Sequence, residues 1–142
     1  MKKRLVIAVD FDGTLVEHRY PQIGEEISFA VDTLKMIQSE GHRLILWSVR
    51  EGSLLEEAVT WCKERGLTFY AVNRNYPEET PEDELYSRKL KADLFIDDRN
   101  VGGLPDWGII YQMITKNKSM HEILLQAMGE SDQPKKKKWK LF

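Results

Sequence analysis

Buried strands and amphipathic helices alternate along the hydrophobic pattern of this chain. The run from Leu5 to Val9 is apolar and rich in β-branched residues, which is typical of a strand buried on both faces. Residues 26–40 then carry apolar side chains at the spacing of an amphipathic helix, and Gly41 follows as a C-terminal cap. The chain therefore opens with a strand and a helix, the unit from which parallel sheets are built.

The later segments continue this alternation. Ser53 opens a capping box that predicts a helix as far as Arg65. Thr80 predicts the start of a short helix within the polar stretch 73–91. The remaining predicted elements are strands at 44–47, 68–72, 94–96 and, short, 108–110, and a last helix at about 116–128. This order predicts the α/β class, with a three-layer, doubly wound, Rossmann-like parallel sheet.

Length and composition limit the domain organisation. A chain of 142 residues with 42% hydrophobic residues has enough for one domain and its core. We expect a single domain over 1–129 and a basic, flexible tail over 130–142. The longest apolar run, Leu5 to Val9, is too short to cross a bilayer, and the lone Cys62 has no partner for a disulfide. The expected location is the cytoplasm, without membrane contact.

Charge divides unevenly between body and tail. The whole chain has a net charge of −2, but Pro134 to Phe142 carries five lysines and no acidic residue, so residues 1–133 carry about −7. An acidic body does not resemble a domain that binds duplex DNA or RNA. Nucleic acid is therefore expected only as a substrate end or as a partner of the lysine tail. An acidic body suits a site that gathers a cation.

Polar side chains cluster where predicted strands end. Because ligands of open parallel sheets bind outside the carboxyl ends of the strands, these side chains are the candidate site. They comprise Asp10 and Asp12 after the first strand, Ser48 and Arg50 after the second, Asp97, Asp98 and Arg99 after the fourth, and Lys89 and Lys91 before it. Several carboxylates at one edge predict a hard divalent cation, and Mg²⁺ is the common one beside a phosphate. The pattern indicates a metal-assisted site for a phosphorylated ligand.

These residues also resemble a known family. A hydrophobic strand followed by DFDGT, a strand followed by serine, a lysine, and a strand followed by two aspartates are similar to the four motifs of the haloacid dehalogenase superfamily. The match runs in the same order over residues 5–100. The resemblance implies a hydrolase of phosphate esters, because the family's carbon–halogen and carbon–phosphorus hydrolases lack an aspartate at the position of Asp12.

The resemblance implies a role for each matched position. Asp10 would be the nucleophile that forms an aspartyl-phosphate, and Asp12 the general acid and base, with its backbone carbonyl on the metal. Ser48 would bind a phosphoryl oxygen. The catalytic lysine would be Lys89, with Lys91 as the alternative. Asp10, Asp12, Asp98 and, less directly, Asp97 would hold the Mg²⁺.

Motif spacing indicates a family member without a cap domain. The 35 residues between Asp12 and Ser48, and the 40 between Ser48 and Lys89, are taken up by the predicted elements. An open site of this kind fits a large substrate or a homo-oligomer whose neighbour covers it. The segment Gly13–Gly24 resembles the family's flap, and Arg50 and Arg99 are candidate contacts to the substrate.

The expected function is Mg²⁺-dependent phosphomonoester hydrolysis of an unidentified phosphorylated substrate. Two alternatives stay open at this point: a phosphotransferase on the same fold, and a module that binds a phosphorylated ligand without turnover.

Overall fold

The computed structural model describes residues 3–129 and has a four-stranded parallel sheet at its core. The predicted basic tail, 130–142, lies outside the described residues. The strands are β1 (Val6–Val9), β2 (Arg43–Leu46), β3 (Ala71–Val72) and β4 (Leu94–Ile96), and the helices are α1 (Ala30–Ser39), α2 (Gly52–Glu64), α3 (Trp107–Thr115) and α4 (Met120–Ala127). The α/β class predicted from the alternating pattern is confirmed.

Strand β1 lies in the middle of the sheet, whose strand order is β3-β2-β1-β4. All pairs are parallel, and Ile7 lies opposite Leu44 on one side and Leu94 on the other. Ile7, Ala8 and Val9 are fully or almost fully buried, as their continuous apolar run predicts. The chain adds β2 and β3 on one side of β1 and then returns to the other side with β4. The carboxyl ends of β1 and β4 therefore meet at the point where the strand order reverses.

The two predicted helices of the first half form, with small changes at their ends. Helix α1 begins at Ala30 because Phe29 adopts a left-handed conformation (φ 70°) and the Glu26 carboxylate accepts a hydrogen bond from Val31 N. Helix α2 begins one residue before Ser53, and no side chain caps it, so the predicted capping box does not form. Gly41 follows α1 with a positive φ, as predicted for a C-terminal cap, and Gly66 follows α2 with a positive φ as well.

Three sequence predictions in the second half were wrong. Strand β3 is only two residues long, and residues 80–83 form a turn in which Asp83 accepts a hydrogen bond from Thr80 N, not a helix. The predicted fifth strand at 108–110 is part of helix α3. Asp106 caps this helix by accepting hydrogen bonds from Gly108 N and Ile109 N, and helical spacing then decides the local structure.

The chain divides into two compact units between Leu104 and Pro105. The first contains the sheet with α1 and α2. The second contains α3 and α4, which pack against each other. The buried apolar residues of these two helices are Trp107, Ile110, Ile114 and Ile123. Within the described range, no helix combines the length and the apolar character needed to cross a membrane.

A tight turn after β1 brings the ends of β1 and β4 into contact. The Phe11 carbonyl accepts hydrogen bonds from Thr14 N and Leu15 N, at 3.2 and 2.9 Å. Gly13 takes a positive φ of 86° in this turn, and a Cβ added to it would overlap the Asp98 carboxylate. Only glycine satisfies both the backbone angle and the close approach of Asp98.

We expect Gly13→Ala to destabilise the fold more than a matched change at Gly102. Gly102 also has a positive φ (93°), but an added Cβ would meet nothing within 4 Å. In both variants alanine must adopt a positive φ, which lowers the free energy of unfolding. Only at Gly13 should overlap with Asp98 lower it by roughly a further 1–3 kcal/mol. Urea unfolding of the two variants measures the difference. Equal losses would mean that Asp98 does not crowd the turn.

Candidate active site

Thr14 links the polar groups at the ends of β1 and β4. Its Oγ1 donates a hydrogen bond to Asp10 Oδ2 at 3.0 Å and accepts one from Asp98 N at 3.0 Å. The Asp10 backbone N–H donates to the Ile96 carbonyl at 3.0 Å, which extends the β1–β4 pairing by one step. These contacts hold the carboxylates of the two loops at one edge of the sheet.

Asp10, Asp97 and Asp98 form a cluster of three carboxylates. One oxygen from each lies within 4.8 Å of the others, and all three side chains are partly buried. Carboxylate oxygens are the ligands that hard divalent cations prefer, and three of them on two adjacent loops fit Mg²⁺. Of the four aspartates expected to hold metal, three therefore come together through their side chains.

The environment of Asp10 favours its protonated form in the metal-free protein. Burial, the negative charge of Asp97 and a hydrogen bond with Asp98 together raise the pKa of Asp10 from 3.8 to about 7. A bound cation would act in the opposite direction, because positive charge favours ionised carboxylates. The site is thus electrostatically unfavourable until positive charge enters it.

Asp12 forms a buried, bidentate ion pair with Arg50. Arg50 Nε donates to Asp12 Oδ2 at 2.7 Å, and Nη2 donates to Oδ1 at 2.8 Å. The Arg50 side chain is 0% exposed and the Asp12 side chain is 7% exposed. Hydrogen bonding to Asp12 raises the pKa of Arg50 above its ordinary value. Both carboxylate oxygens of the expected general acid are therefore engaged by one guanidinium group.

The remaining contacts of Arg50 are also internal. Nη1 and Nη2 donate to the carbonyls of Leu54 and Gln22, at 3.3 and 3.0 Å. The guanidinium carbon lies 5.3 Å from the ring centroids of both Phe11 and Tyr20. Arg50 is thus a structural partner of Asp12 and of the segment Gly13–Gly24, and it is not among the described residues that line the cavity. A contact between Arg50 and a substrate stays a prediction.

A cavity of about 440 Å³ opens beside the carboxylates. Its polar lining includes Asp10, Asp12, Asp97, Ser48 and Arg99. A contact between Arg99 and a substrate stays a prediction. The Ser48 backbone N–H donates to Asn73 Oδ1 at 2.8 Å, and its Oγ accepts from Arg50 N at 3.1 Å. The ends of β1, β2 and β4 therefore contribute to one cavity.

Neither candidate lysine is among the described residues that line this cavity. Lys89 is exposed, and its Nζ lies 5.5 Å from the centroid of the Phe95 ring. Lys91 Nζ donates to the Leu85 carbonyl at 3.2 Å. The structure does not bring Lys89 or Lys91 to the carboxylates, and the catalytic role of Lys89 stays a prediction.

Sequence reasoning gave no role to two residues that organise the site, Thr14 and Asn73, and it missed the pairing of Arg50 with Asp12. Thr14 belongs to the DFDGT motif, so its position beside Asp10 and Asp12 was a usable signal. Asn73 follows β3 with a positive φ of 56° and binds the Ser48 backbone, and its place after a strand was a weaker signal. The pairing of Arg50 with Asp12 joins residues 38 positions apart, and no local pattern indicates it.

Comparison with known proteins identifies one informative relative. No family model matches the chain, and no curated protein matches it. A solved structure of a conserved protein from Bacteroides thetaiotaomicron is 68% identical to it, with a TM-score of 0.81. The similarity covers 85% of this chain and 98% of that chain.

We expect Arg50→Leu to destabilise the protein strongly, because it leaves the Asp12 carboxylate buried without its partner. Breaking a buried ion pair from one side costs about 3–5 kcal/mol. Arg99→Leu is the matched control, since Arg99 is exposed and should change stability by less than about 0.5 kcal/mol. Chemical denaturation measures both. If Arg50→Leu lowers the free energy of unfolding no more than Arg99→Leu does, the buried ion pair is contradicted.

Asp10 should make the metal-free protein less stable as the pH rises. Its folded pKa, about 7, lies above the ordinary 3.8, so its favourable contribution is complete below pH 3.8 and is lost as the pH rises through about 7. Asp10→Asn does not titrate, so its stability relative to wild type should increase over that range. Unfolding in EDTA at several pH values tests this, with Asp32→Asn on α1 as control. If the difference in unfolding free energy between Asp10→Asn and wild type does not change with pH, the raised pKa of Asp10 is refuted.

Proposed function

The chain belongs to the same family as that conserved protein from Bacteroides thetaiotaomicron, and we propose that it is a Mg²⁺-dependent phosphatase. The reaction is hydrolysis of a phosphate monoester through an aspartyl-phosphate on Asp10. The observation that carries this proposal is the convergence of Asp10 with Asp97 and Asp98, with Asp12 lining the same cavity. A nucleophile, an acid–base group and a set of cation ligands thus occupy one site.

The position of the site supports the finer fold assignment within this proposal. Ligands of doubly wound sheets bind where the strand order reverses, and the carboxylates lie at that point, between β1 and β4. We take the fold to be the three-layer, Rossmann-like architecture of the haloacid dehalogenase superfamily, without a cap domain. The DFDGT and double-aspartate motifs follow the two strands on which that resemblance rests.

Asp10, Asp97 and Asp98 are the residues that would hold Mg²⁺. When bound, the cation supplies positive charge that offsets the repulsion between these carboxylates and the phosphate oxygens. It also favours the ionised form of Asp10, which the nucleophilic role requires, since burial and neighbouring acids otherwise raise the pKa of this carboxyl group.

In the first half-reaction, an Asp10 carboxylate oxygen attacks phosphorus. A bond from this oxygen to phosphorus forms, the bond to the ester oxygen breaks, and Asp12 gives a proton to the leaving alkoxide. In the second, Asp12 accepts a proton from water, and the resulting hydroxide attacks phosphorus and releases inorganic phosphate. Asp10 is regenerated. Ser48 is the proposed hydrogen-bond partner of the phosphoryl group.

The ion pair with Arg50 adds a requirement to the proposed reaction. Both Asp12 oxygens accept hydrogen bonds from Arg50, so Asp12 must turn out of this pair and take up a proton from solvent before it protonates a leaving group. The same pair favours a second candidate function, binding of a phosphorylated ligand without turnover. In that case Asp12 would stay with Arg50, and Asp10, Asp97 and Asp98 would serve only to bind a cation and a phosphate.

Hydrolysis of para-nitrophenyl phosphate with and without Mg²⁺ tests the proposal. We expect turnover that EDTA abolishes and Mg²⁺ restores, and we expect Asp10→Asn to reduce it to the rate of the uncatalysed reaction, because no other group can form the intermediate. Asp32→Asn, which removes an exposed carboxylate on α1, is the matched control and should keep full activity.

Three outcomes would count against the proposal. Hydrolysis that survives in Asp10→Asn would exclude the aspartyl-phosphate on Asp10. If the wild type hydrolyses no phosphate ester but Mg²⁺ with beryllofluoride, a phosphate mimic, raises its melting temperature, the binding function is supported instead. If the wild type neither hydrolyses a phosphate ester nor gains thermal stability from Mg²⁺ with beryllofluoride, the proposed site itself is wrong.

A further inference from the structure

The cavity beside the carboxylates has an aromatic wall that the proposed phosphate chemistry does not use. His18 and Tyr20 reach it from the segment Gly13–Gly24, and Trp47 and Val49 reach it from the loop after β2. Tyr20 is 44% exposed and Val49 76% exposed. Exposed apolar side chains that are grouped at one cavity, rather than scattered, mark a surface that a ligand covers.

Tyr20 and Trp47 are held in place before any ligand arrives. The ring of Tyr20 faces Arg50, whose guanidinium group is fixed by Asp12 and by the Gln22 carbonyl. The backbone N–H of Trp47 donates to the Val9 carbonyl at 2.8 Å, and its side chain packs against the core cluster that contains Ile45. Rings fixed in this way lose little conformational entropy on binding, which favours stacking with a ligand.

The charges of the lining restrict the leaving group further. Asp10 and Asp97 face the cavity, and Asp12 is already neutralised by Arg50. Arg99 carries the one permanent positive charge among the described lining residues. A cation held by the aspartates would already interact with the phosphate of the substrate. Few positive charges would then remain to offset any further negative charge on the leaving group. The wall suits a leaving group that is uncharged and flat.

We propose that the site takes a phosphate monoester whose leaving alcohol carries a planar aromatic ring, which lies against Tyr20 and Trp47. A cavity of about 440 Å³ is within the usual range for a small-molecule site, and a nucleoside monophosphate has the required combination of phosphate, neutral spacer and ring. This inference rests on the proposed phosphatase function. The ring has two possible sources, a nucleoside or a simple aromatic alcohol, and matched substrate pairs separate them.

The first pair is adenosine 5′-monophosphate and ribose 5-phosphate, which differ by the base. We expect kcat/KM to be about 5- to 150-fold higher for the nucleotide, the range for one stacked base. The second pair is benzyl phosphate and butyl phosphate, alkyl esters of which only one carries a ring. A preference within the second pair but not the first would support the aromatic wall and assign it to aromatic alcohols.

Variants show whether the wall causes the preference. Tyr20→Leu should lower the ratio of kcat/KM between the members of the preferred pair. Tyr70→Leu is the matched control, because Tyr70 also lies against an arginine, with Arg43 at 4.0 Å from its ring centroid, but does not line the cavity. Val49→Ser, at an exposed position, should act in the same direction as Tyr20→Leu and avoids the contact with Arg50.

The outcomes separate the inference from the function on which it rests. Asp10-dependent hydrolysis with equal kcat/KM within both pairs would overturn the aromatic wall and leave the phosphatase intact. A preference that Tyr20→Leu and Val49→Ser do not change would overturn it as well. No hydrolysis of any of the four esters, or of para-nitrophenyl phosphate, would instead overturn the proposed phosphatase.

Discussion

The buried ion pair between Asp12 and Arg50 connects the parts of this site. A charged group in the interior is tolerated only when its partner is close and its remaining donors are satisfied, and Arg50 meets this condition through four hydrogen bonds to Asp12, Leu54 and Gln22. These contacts bring together the turn after β1, the loop after β2, the start of α2 and the segment Gly13–Gly24. Loss of either partner would therefore disturb the cavity as well as stability.

A second constraint acts on the other side of the cavity, where Asp10, Asp97 and Asp98 approach each other and form no ion pair with a basic side chain among residues 3–129. Thr14 and the glycine turn hold Asp10 and Asp98 together although Asp97 and burial disfavour the charge on Asp10. The fold thus holds an arrangement that is unfavourable by itself and becomes favourable when positive charge enters. Such a combination of burial and like charge is typical of functional sites.

The two halves of the site differ in how their charge is balanced. Asp12 has an internal counter-ion, Arg50, whereas in the described part of the chain no basic side chain forms an ion pair with Asp10, Asp97 or Asp98. The difference gives each group a distinct part in the proposed reaction. In that reaction the cluster would bind the cation and the phosphate, and Arg50 would connect Asp12 to the segment that carries Tyr20, since it contacts both. Substrate bound against Tyr20 would therefore act next to the acid–base group.

Local patterns predicted much of the first half of the fold and the candidate site. The apolar runs at 5–9 and 44–47, the helical spacing at 26–40 and the glycines after α1 and α2 each act over a few residues, so their outcome follows from short stretches of sequence. The three-residue apolar run at 108–110 was ambiguous by itself, and the cap at Asp106 decided it for a helix. The placement of Lys89 could not be predicted, because the irregular segment before β4 follows no periodic pattern.

The sequence by itself determined the α/β class, the central buried strand and the aspartates at strand ends, because burial and backbone preference act locally. The tertiary structure alone decided that Arg50 pairs with Asp12, that Thr14 joins two loops, and that Tyr20 and Trp47 share a cavity with the carboxylates. Each of these depends on residues distant in the chain, and sheet order and register bring them within contact distance only after the chain has folded.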